Sequence, residues 1–174
     1  MRNRMLAAIL VLALSTTAWA AGTCAVTNVT STQNASASVP DAGVVIVTLT
    51  CMGDASTGSF PATTVPLAGY YPTNYLNIYN LAGYMLYQVG RTPGTTQPTA
   101  NYTVTVKDVQ GFALDLGLLT TNGSASAAQL TAISSATAPY PVFPTVRSAL
   151  TVAITANSVD SANITLDLIF RATI

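Results

Sequence analysis

The sequence predicts an all-β fold, a single antiparallel β-sandwich of Greek-key or jelly-roll type. Three observations predict it. Short runs alternate apolar and polar residues with a period of two, as where Tyr102, Val104 and Val106 oppose Thr103, Thr105 and Lys107. Clusters of Gly, Pro, Asn and Asp separate these runs at the spacing of a sandwich. Beyond the N-terminal leader, only Ser124 to Ile133 reads as a possible short helix.

Taken in order, Cys24 to Thr30 forms a first strand, and Gln33 to Gly43 a loop carrying Asn34, Pro40 and Asp41. Val44 to Cys51 returns as an apolar strand. Met52 to Gly58 is a turn, and Phe60 to Val65 reads as a short strand. Residues 66 to 82 form a stretch rich in Tyr, Asn and Pro. Gly83 to Val89 is a strand with Tyr84, Leu86 and Gln88 on one face and Met85, Tyr87 and Val89 on the other. A polar loop runs from Thr92 to Thr99, followed by a strand over Asn101 to Lys107 and a tight turn over Asp108 to Gly111. Phe112 to Leu119 reads as a strand or extended segment. Thr120 to Thr137 is small and polar, and Pro139, Pro141 and Pro144 mark an extended edge or loop. Two alternating strands close the sequence, Leu150 to Thr155 and Ile164 to Arg171, with Asn157 to Ser161 expected as a hairpin loop between them.

Residues 1–20 read as a cleavable export signal. Arg2 and Arg4 give a positive start, Met5 to Leu14 an apolar core, and Ala18-Trp19-Ala20 a small-x-small cleavage site. The apolar core is about half of what a membrane span requires, so no stable span is expected after cleavage. Residues 21–174 then form one domain. It keeps Arg91, Lys107, Arg147 and Arg171 against six aspartates. There is no histidine among the 174 residues, and none of the acidic residues is glutamate. That excludes His-based triads and His-ligated zinc. The few cations also leave no basic patch for nucleic acid. No cofactor is expected.

An exported chain with two cysteines points to a disulfide between Cys24 and Cys51, which fall at matching ends of the first two strands. The predicted location is secreted, periplasmic or at the cell surface. Asp108 and Asp115 are the one carboxylate pair worth weighing for acid–base chemistry. Asp108 more simply starts a turn, and no enzymatic activity is expected. Tyr70, Tyr71, Tyr75 and Tyr79 are the candidate contact residues, because tyrosine joins a flat apolar face to a hydroxyl.

The order of several motifs resembles a group of small β-rich proteins encoded in tailed-phage structural gene regions. The resemblance runs from Thr48-Leu-Thr-Cys-Met-Gly-Asp-Ala-Ser-Thr-Gly58 through Leu81 to Val89 and Thr92-Pro-Gly94. Its most specific piece is Pro98 to Asp115, and it ends with Ser148 to Ile154 and Ile164 to Phe170. It implies a compact β-sandwich associated with virion structure. The export signal, the cysteine pair and the Tyr/Asn-rich insertion depart from that pattern. The expected function is therefore that of an exported structural or interaction protein, virion-associated or part of a surface assembly. It would act through contacts with a protein partner or with itself. The alternative is a carbohydrate- or cell-surface-binding module that takes a glycan on the Tyr/Asn-rich loop.

Overall fold

Ten strands in antiparallel sheets make up the regular structure of this computed structural model, which describes residues 21–31, 43–70, 78–120, 123–133 and 143–172. No helix occurs among the described residues. The strands are β1 (Thr23–Ser31), β2 (Val44–Met52), β3 (Thr63–Val65), β4 (Ala68–Tyr70), β5 (Ile78–Asn80), β6 (Tyr84–Pro93), β7 (Thr103–Asp108), β8 (Gln129–Ala132), β9 (Leu150–Thr155) and β10 (Asn163–Ala172). A five-stranded sheet runs β1-β2-β10-β6-β8 and a three-stranded sheet runs β3-β9-β7. The small hairpin β4-β5 forms a third sheet.

The alternation seen in the sequence places the core. Val45, Val47, Leu49 and Cys51 of β2 point inward together with Ile164, Leu166, Leu168 and Phe170 of β10. Val104 and Val106 of β7 and Leu150, Val152 and Ile154 of β9 come from the other sheet, and all of them join one buried cluster. Two sheets that bury their inner faces against each other are a sandwich. Burying a Val, Leu, Ile or Phe side chain is worth roughly 1.5–3 kcal/mol. The centre of the large sheet therefore carries much of the stability.

Two bulges interrupt the period of two. In β1 the register slips between Val26 and Asn28. In β6, Phe170 pairs with Leu86 while Ile169 pairs with Gln88, so Tyr87 is an extra residue. A bulge residue reverses the facing of everything beyond it. Hence Val89 and Arg91 point inward, where plain alternation from Leu86 would have sent them out.

Three local expectations change. β9 and β10 belong to different sheets, so Asn157 to Ser161 is a crossover, not a hairpin loop. Its Asn157 ties the crossover down by donating to the carbonyls of Gly58 (2.6 Å) and Val159 (3.0 Å). Phe112 to Leu119 is a run of turns against the edge of β7 and not a strand. Only Ala113 makes a bridge, to Lys107, while Leu114 N–H donates to the Val106 carbonyl. Ser124 to Ile133 is not helical, because Gln129–Ala132 pairs with Gln88–Arg91 as β8.

Candidate functional site

Cys24 and Cys51 lie directly opposite each other on β1 and β2, and their sulfurs are bonded. The first strand is thereby tied to the large sheet. A disulfide of this kind is compatible with an oxidising compartment outside the cytoplasm or in a periplasm.

The tyrosine candidates separate. Tyr71 and Tyr75 lie outside the described residues, and Tyr70 is placed only by its backbone, opposite Ile78 in the β4-β5 hairpin. Tyr79 is a core residue: it is 3% exposed, packs over Gly69 and directs its hydroxyl to the Pro66 carbonyl (3.4 Å). Burial pushes the Tyr79 hydroxyl above its ordinary pKa. Its ring is therefore not available to an external ligand, which corrects the expectation for that residue. The physical reason is the hairpin, whose alternation turns Tyr79 inward against Gly69.

The aspartates hold turns. Asp54 accepts from the backbone N–H groups of Ser56 (2.8 Å) and Thr57 (2.9 Å). Hydrogen bonds from Ser56 and Thr57 lower its pKa to about 2. Asp108 accepts from the N–H groups of Gln110 (3.0 Å) and Phe112 (2.8 Å). Asp115 is buried and accepts from Val106 N–H (3.2 Å). Each carboxylate serves a different set of backbone donors. Among the described residues, no group of three His, Cys, Asp or Glu converges as metal ligands.

Two arginines show opposite treatments of a cation. Arg171 lies on the outer face of the large sheet with its guanidinium 3.9 Å from the centre of the Tyr87 ring, and Phe143 packs on that ring at 5.6 Å. Arg91 is only 2% exposed and donates through Nη2 to Thr131 Oγ1 at 3.0 Å. Its Nε and Nη1 have no hydrogen-bond partner among the described residues, nor has the buried hydroxyl of Tyr102. Burial lowers the Arg91 pKa, and the neighbouring Tyr102 works against that shift.

The surface feature that the sequence reading missed follows β7. Val109, Phe112, Leu116 and Leu118 are exposed at 59%, 72%, 39% and 36%. Phe112 stands at the rim of a groove of about 240 Å³ that also takes in Leu114, Pro144, Asp108 and Arg147. The backbone explains the exposure. Gly111, Leu116 and Gly117 adopt positive φ (88°, 52° and 70°), so this segment bends back on itself and never forms a strand with an inner face. Those glycines were the only sign in the sequence, because an apolar run beside a turn otherwise reads as a buried strand. No family model, curated protein or solved structure matches the chain.

Proposed function

We propose that this is an exported structural or interaction protein that works through protein–protein contacts and performs no catalysis. The observation that carries the reading is the exposed apolar segment Val109, Phe112, Leu116 and Leu118, which gathers in one stretch four of the large apolar side chains exposed among the described residues, Met52 and Leu130 standing apart from it. Exposed aromatic and aliphatic side chains that cluster beside a groove mark an interaction surface more often than an accident of sequence. The low charge of the chain agrees, since scattered charges normally keep surfaces apart. The disulfide and the charged, apolar leader support export. The resemblance to virion-region proteins supports a role in an assembly at or beyond the cell surface.

A photo-crosslinking residue at position 112 tests the reading. The full chain is produced in an exporting host and illuminated, with the same probe at Thr23 as a control. The expected outcome is protein adducts of defined mass from position 112 and none from position 23. Absence of protein adducts at 112 overturns the contact reading.

A further inference from the structure

The two ends of the sandwich differ in charge and in shape. At one end, β7 finishes and β9 begins, since Asp108 pairs with Leu150. Phe112 projects there, with Lys107 and Arg147 beside it, both exposed. At the other end, β9 finishes and the crossover leads to β10. A second cavity of about 260 Å³ opens there, lined by Ser59, Phe60, Ile154, Thr155, Ala156 and Asn157. The loops around it carry Asp54 and Asp160, and they are joined because the Asp54 carbonyl accepts from Gly58 N–H (3.0 Å) and Ser161 N–H (3.2 Å). Asp54 is held ionised by its own turn.

One end thus carries an exposed aromatic ring beside Lys107 and Arg147, with Asp108 held by its own turn, and the other a cavity walled by Phe60 and Ile154 whose adjoining loops carry Asp54 and Asp160. We infer that copies of this chain associate head to tail, with Phe112 of one copy seated in the Phe60–Ile154 cavity of the next. Lys107 and Arg147 of the first copy then face Asp54 and Asp160 of the second. The cavity has the volume for a phenyl ring, and the opposite charges favour this order of docking over a symmetric one. Two like ends brought together would set the net positive Lys107–Arg147 end against itself, or Asp54 and Asp160 against their copies. A contact that joins unlike ends is heterologous and repeats, so it builds a linear array instead of a closed dimer.

This inference rests on the protein-contact reading, but its test fails separately. Sedimentation of the purified full-length product should show association that rises with concentration and weakens as salt is raised. Phe112→Asp removes the ring, and Thr155→Arg blocks the cavity with a cation. Each variant alone should be monomeric, with self-association weakened about tenfold or more, as for a central aromatic anchor. Mixed together they should form a one-to-one dimer, because the intact ring of one fits the intact cavity of the other. Circular dichroism matching the parent confirms that both variants are folded. A parent that stays monomeric overturns head-to-tail association, while crosslinks from position 112 to another protein would leave the contact reading standing. Assembly that survives both substitutions, or a mixture that stays monomeric, also overturns it.

Discussion

At the scale of single residues, the least expected feature is the buried Arg91. A guanidinium removed from water with two N–H-bearing nitrogens unpartnered among the described residues loses more solvation than its bond to Thr131 returns. Arg91→Met keeps the long aliphatic stem and removes the charge. Urea unfolding of this variant should give equal or higher stability, by about 1–3 kcal/mol. Arg91→Ala should be destabilising through lost packing. If Arg91→Met falls well below the parent, the buried charge has a partner that offsets its cost. Asp54 gives a second prediction. Its folded pKa lies below the unfolded value, so its turn adds stability above about pH 4 and loses it as pH falls toward 2. A carboxyl resonance followed by NMR should titrate near 2, and a midpoint close to 4 would show that the Ser56 and Thr57 bonds do not hold in solution. Asp54 was readable in the sequence, because Asp-x-Ser-x-Gly is turn chemistry. Arg91 was not, because its facing depends on the extra residue at Tyr87 and nothing at Tyr87 announces a bulge.

At the scale of elements, the first hairpin is the clearest case of sequence determining structure. Cys24 and Cys51 pair across β1 and β2 because both strands keep their alternation at that end, before the bulge at Thr27. Among the described strands β1 pairs with β2, and the Thr63 hydroxyl adds one bond to the Cys24 carbonyl (2.6 Å). The disulfide closes a span of 27 positions. Replacing both cysteines by serine should lower stability by roughly 3 kcal/mol in urea unfolding. A loss below about 1 kcal/mol would mean that the strand pairing alone holds β1. The segments read least well were Phe112 to Leu119 and Gln129 to Ala132. The first has strand composition but positive φ values at Leu116 and Gly117. The second has the small residues of a helix or loop, yet it is recruited as a strand by the free edge of β6. Tertiary context decided both, and propensity decided neither.

At the scale of the whole molecule, the sequence conveyed that there are two buried faces but not which strands share a sheet. Alternation tells a residue which side it lies on and says nothing about its neighbour. The terminal pair shows this: β9 and β10 alternate equally well, but the crossover at Asn157 sends them to opposite sheets. The resulting order places β10 at the middle of the large sheet between β2 and β6, and β1 and β8 at its margins. Amide hydrogen exchange should follow that order. The amides of β10 and the β10-facing amides of β2 should be slowest, and those of β8 among the fastest. Exchange in β10 as rapid as in β8 would contradict the sheet order.

The position of β10 also bears on how the chain reaches its native state. It is the latest of the ten strands in sequence, yet it fills the gap between β2 and β6, and the Thr48 hydroxyl bonds to Asp167 across 119 positions of chain. Neither β2 nor β6 has its full set of partners until that segment emerges. Non-local pairing of this kind slows folding. The strand that completes the large sheet is the last of the ten to be made, so that sheet cannot close on β2 and β6 before β10 is available.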